Sequence, residues 1–165
     1  SKFLILFRSP LAHSKSLLSQ HKRFIKLQKK DVFLKEYMNY LGHWEFGENK
    51  KPFIYDENQY LELTSLDAKT IKYWMKQWIF TYDWILKNLS SNEYPNIRLI
   101  CYEELCTNKR YENKLYNFLN LNEKKYYFKF KVGKSNQYQG KITNSEYMNH
   151  AENIYHQMKK KSFIE

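Results

Sequence analysis

The sequence predicts a helix-rich α/β fold, with few strands flanked by helices. Three observations carry that expectation. Phe3–Phe7 is a five-residue apolar run followed at once by a helix start. A second short apolar run, Ile97–Cys101, has the length and composition of another strand. Elsewhere the apolar residues recur at helical spacing, most clearly between residues 71 and 86.

Phe3–Phe7 has no polar member, which predicts a strand buried on both faces. Arg8 follows it. Ser9 is a favoured helix N-cap, and Pro10 suits the first helical position. Free N–H groups, the positive end of a helix dipole and a guanidinium therefore converge on one spot, which suits an anion such as phosphate. In the plainer alternative, Arg8 ends the strand and pairs with a carboxylate. Residues 10–29 form the helix after this junction. Asp31 caps a second helix from Val32 to about Leu41. Residues 42–63, with Gly42, Gly47 and Pro52, read as irregular. Thr64 or Ser65 then starts a long helix to about Leu89, whose Ile71, Trp74, Met75, Trp78, Ile79 and Tyr82 form a core stripe. Asn96 precedes the second strand. Further helices are expected at about 109–119 and 144–160. Two strands among so many helices make too little sheet for a stable α/β domain, so further strands are expected upstream.

The chain has 165 residues, the usual size of one domain, and its 18% aromatic content supplies a core. The formal net charge of +11 invites a nucleic-acid reading. Against it, the charge is nearly all Lys; Arg stands only at positions 8, 23, 98 and 110. The lysines are scattered, and Arg is the preferred reader of bases and phosphates. A basic field would still draw in a polyanionic nucleotide. Cys101 and Cys106 are too few for a disulfide framework and fit a reducing, cytoplasmic setting. No stretch approaches the length of a membrane span. No Cys/His/Asp cluster has zinc spacing, so no metal is expected.

The spacing of Arg8 and Ser16 resembles the 3′-phosphate-binding segment of sulfotransferases that use 3′-phosphoadenosine-5′-phosphosulfate (PAPS). There, an Arg after a strand is followed eight positions later by a helix Ser. Ser9 replaces the family's usual Asp or Asn but keeps the capping chemistry. Tyr102-Glu103-Glu104-Leu105, ending the second strand, resembles the family's Tyr-Glu-Asp/Glu-Leu box, and Phe118-Leu119-Asn120-Leu121 its Phe-Leu-Gly-Leu. Lys131, Gly133 and Tyr138 match three positions of its Arg-Lys-Gly loop; Val132 does not.

The resemblance implies a partial P-loop-type sulfotransferase fold with parallel strands. It also implies transfer of a sulfuryl group from PAPS, as co-substrate, to a hydroxyl or amine. Arg8 and Ser16 would hold the 3′-phosphate, Tyr102 would contact the adenine, and Lys131, Gly133 and Lys134 would close over the phosphate. The family's loop for the 5′-phosphosulfate, of Lys/Arg-x-Gly/Ser-Thr type, has no counterpart among the four glycines. The chain is therefore expected to be the C-terminal part of one such domain and inactive alone. The acceptor is left open among carbohydrate, lipid, peptide and small molecule.

Between Gly42 and Gly47, His43 and Glu45 are acceptor-side candidates for a general base. The alternative is a surface loop with Trp44 or Phe46 tucked inward. Glu103 and Glu104 read as residues that orient nearby backbone or pair with a Lys. A rival function is a non-catalytic basic domain that binds RNA or polyanionic glycans through Lys and exposed Tyr.

Overall fold

In a computed structural model, the structure describes residues 1–89, 94–121 and 146–162. The element order is β1 (Phe3–Phe7), α1 (Pro10–Lys30), α2 (Val32–Tyr40), α3 (Glu57–Thr64), α4 (Ile71–Asn88), β2 (Ile97–Cys101), α5 (Tyr102–Thr107), α6 (Lys109–Leu119) and α7 (Glu146–Lys161). The coarse α/β class is thus present: helices accompany a two-stranded parallel sheet. The chain divides into two compact units, one of residues 1–9 and 85–165, the other of residues 10–84.

In the sheet unit, β1 and β2 pair in parallel, from Phe3 opposite Ile97 to Phe7 opposite Cys101. Helices α5 and α7 pack against β2, and Phe7 meets Tyr155 of α7 edge-on at 5.8 Å. That cover explains a correction. The apolar run does form a strand, but it is not buried on both faces. Phe7 is fully buried, whereas Phe3 is 59% exposed and Leu4 and Leu6 are exposed as well. The helical cover lies on β2 and reaches β1 only at its end.

Two asparagines bound α6. Asn108 accepts the Tyr111 N–H (3.2 Å) at the start of α6, and Asn120 ends that helix in a left-handed conformation (φ 57°). Helix α5 is a second correction. Glu103 and Glu104 do not end a strand but form the first turn of this short helix.

In the helical unit, Asp31 caps α2 as expected, accepting the Leu34 N–H. Helix α3 lies within the stretch expected to be irregular, capped by Asp56 through the Gln59 N–H at 2.8 Å. The long helix starts at Ile71, not at Thr64 or Ser65. Asp67 stops an earlier start by folding a turn on itself: its carboxylate accepts the Lys69 N–H (2.8 Å) and its carbonyl the Thr70 N–H. Leu63, Tyr73 and Trp74 form a buried cluster, joined by Leu17, Leu18 and Phe46. Trp74 and Trp78 are buried, as the stripe predicts. Among the described residues no helix is long and apolar enough to cross a membrane.

Candidate functional site

The parallel register decides which residues meet. Phe7 and Cys101 end their strands side by side, so the next residues, Arg8 and Tyr102, emerge at the same edge. The Arg8 guanidinium lies 5.1 Å from the centre of the Tyr102 ring. This is the carboxyl end of the sheet, where open α/β folds seat their ligands.

A carboxylate already stands at that edge. One Glu103 oxygen accepts the Ser9 N–H at 3.0 Å and lies 4.0 Å from Arg8 Nε. The other accepts the Tyr155 hydroxyl at 3.1 Å. The plainer expectation for Arg8, pairing with a carboxylate, is met. Glu103 also orients neighbouring backbone, and Glu104 pairs with Lys159 at 2.7 Å. That hydrogen bond holds the Glu104 carboxyl below its ordinary range and raises Lys159.

Burial raises the Tyr102, Tyr155 and Cys101 protons above their ordinary values. Cys101 is fully buried, donates its N–H to the Tyr111 hydroxyl at 2.7 Å, and lies 3.5 Å by its sulfur from the Tyr155 hydroxyl. Its thiol is therefore a packed group rather than a nucleophile.

Ser16 is half-buried on α1, in the helical unit. His43 and Glu45 face each other at 3.2 Å on an exposed loop, while Phe46 turns inward to stack on Phe24 at 5.8 Å. Lys131, Gly133 and Lys134 lie outside the described residues, as does Tyr138. Among the described residues no group of three His, Cys, Asp or Glu is placed to hold a metal.

The structure adds residues that the sequence reading passed over. His21 is 3% exposed and accepts the Gly47 N–H through Nδ1 at 3.2 Å. Burial lowers its pKa, with the Lys50 charge adding to the effect. Lys50 lies against the Tyr73 and Trp74 rings. Comparison with family models, curated proteins and solved structures finds no match.

Proposed function

We propose that this chain belongs to a PAPS-dependent sulfotransferase and that its sheet edge takes the 3′-phosphate end of the nucleotide. The observation that supports the reading most is the meeting of Arg8 and Tyr102. The resemblance drew them from segments more than ninety residues apart, and the parallel register sets them together. Arg8 supplies a charge-assisted contact to phosphate, and Tyr102 offers a ring face to adenine.

In the reaction, an acceptor oxygen or nitrogen attacks the sulfur of PAPS in line. The bridging S–O bond breaks, 3′,5′-adenosine bisphosphate leaves, and the acceptor's proton passes to a base. Positioning and electrostatic stabilisation carry most of such a transfer. Ser16, Lys131, Gly133 and Lys134 are the further nucleotide candidates, and His43 and Glu45 the acceptor-side ones. Glu103 is a built-in competitor: an anion that takes the Ser9 N–H must displace its carboxylate.

Titration calorimetry with 3′,5′-adenosine bisphosphate and adenosine 5′-monophosphate tests the assignment. Arg8→Ala should weaken the bisphosphate by about 2–4 kcal/mol, the scale of losing a charge-assisted phosphate contact, and leave the monophosphate unchanged. Equal losses for both overturn it. The net charge of +11 favours the second reading, a binder of RNA or polyanionic glycans. Such binding should fall steeply and log-linearly with salt and ignore a 3′-phosphate.

A further inference from the structure

The helical unit contains a cavity of about 400 Å³ bounded by α1, the loop after α2 and the turn before α4. Sites for small molecules are usually of this order of size. Its floor is fixed by two buried polar side chains of α1. His21 Nδ1 accepts the Gly47 N–H, so Nε2 carries the proton of the neutral ring. Gln28 accepts the next N–H, that of Glu48, at 2.7 Å. Gly47 itself has φ +90°, and a Cβ there would lie 2.2 Å from the Gln28 side-chain oxygen. The loop backbone is therefore held in one place at a position open only to glycine.

That loop carries Lys50, a lining residue, against the Tyr73 and Trp74 rings of α4. Its ammonium lies 3.9 Å from the Tyr73 ring centre and donates to the Tyr73 hydroxyl. Lys29 and Lys69 line the cavity as well, so three of its lining residues are lysines. Two acids, Glu48 and Asp67, line the cavity beside them. Glu48 pairs with Lys35 at 2.8 Å, and an Asp67 oxygen accepts the Lys69 backbone N–H. Among the described residues, none of the three ammonium groups has a carboxylate within 4 Å. Three lysines against Glu48 and Asp67 leave the lining one positive charge in excess.

We propose that this cavity is a binding site for a small organic phosphomonoester, with Lys29 and Lys69 at the dianion and Lys50 beside the organic part. A lining with more lysines than acids favours an anion. Orthophosphate alone would leave most of the volume empty; the organic part has Ile25 and Ala68 to lie against. Burial holds Lys50 down to about 8, so near neutrality it is a cation with an accessible neutral form. The site is independent of Arg8 and of the sulfotransferase reading.

Pyridoxal 5′-phosphate, a phosphomonoester with an aldehyde, is the probe. The neutral Lys50 amine adds to the aldehyde carbon, water leaves, and an imine forms. Borohydride then delivers hydride to the imine carbon and fixes a secondary amine. Peptide mapping by mass spectrometry should find Lys50 as the main labelled residue of the full chain. Pyridoxal, which lacks the phosphate, should label it at least ten-fold less, and excess glycerol 3-phosphate should protect it. Lys29→Met with Lys69→Met keeps the Lys50 amine and alters only exposed positions. It should reduce labelling to the pyridoxal level, whereas Arg8→Ala should leave it intact. Equal labelling by the two aldehydes, no protection by glycerol 3-phosphate, or labelling spread over the surface lysines overturns the proposal.

Discussion

Lys50 shows how one residue can weaken the fold it serves. Its folded pKa of about 8 lies below the ordinary 10.5. Between those values the unfolded chain binds more protons, so stability rises with pH across that window. Below pH 8 the native state carries the whole cost of a half-buried ammonium. Tyr73 of α4 accepts from it, and the other titratable groups lining the same cavity are His21 and Lys29 from α1, Glu48 from its own loop, and Asp67 and Lys69 from the turn. Lys50→Met keeps the stem and removes the charge. It should melt higher than the parent at pH 7, with the gap closing towards pH 10. A lower melting temperature at pH 7 would mean that the Tyr73 contact outweighs desolvation. Gly47 is the complementary case. Gly47→Ala meets both the positive φ and the Gln28 side chain, so denaturant titration should show a loss of about 2–4 kcal/mol. Adding Gln28→Ala should relieve the clash but not the backbone strain, so recovery should be partial.

At the scale of elements, the sequence is most legible where cap and period agree. Pro10 starts α1, Asp31 caps α2, and the Trp74–Trp78 stripe marks α4. The starts of α3 and α4 were hidden for a shared reason. Asp56 and Asp67 have the same chemistry, yet one caps a helix and the other closes a turn. Gln59, three residues after Asp56, was the missed cue: its side chain accepts the Tyr55 N–H while its own N–H goes to Asp56. The exposure of β1 was illegible because composition says that a strand is apolar, not what covers it. The candidate site divides in the same way. Arg8 was visible from the strand-to-helix junction, but Glu103 at its side depends on the register of β1 against β2. The cavity was invisible because its lysines, scattered from 29 to 69, look like compositional bias until the chain folds.

At the scale of the whole chain, the four tryptophans, at 44, 74, 78 and 84, all fall in the helical unit, so selectively excited tryptophan fluorescence reports from that unit. Cys101 reports the sheet unit, where it is fully buried and its thiol is held protonated. In a Cys106→Ser background, refolding followed by both signals should show Cys101 becoming protected from thiol reagents together with or after the tryptophan change. Protection that precedes it would refute this order. The reason lies in the parallel pair. Ser9 and Glu103, which join β1 to α5, are 94 residues apart, and the entire helical unit lies within that interval. Bringing such distant ends together costs chain entropy that grows as the logarithm of the interval, about 0.6 kcal/mol for each doubling. Every part of the helical unit that condenses first shortens the effective tether. A substitution such as Gly47→Ala, remote in sequence from either strand, should therefore retard strand pairing as well as loosen its own loop.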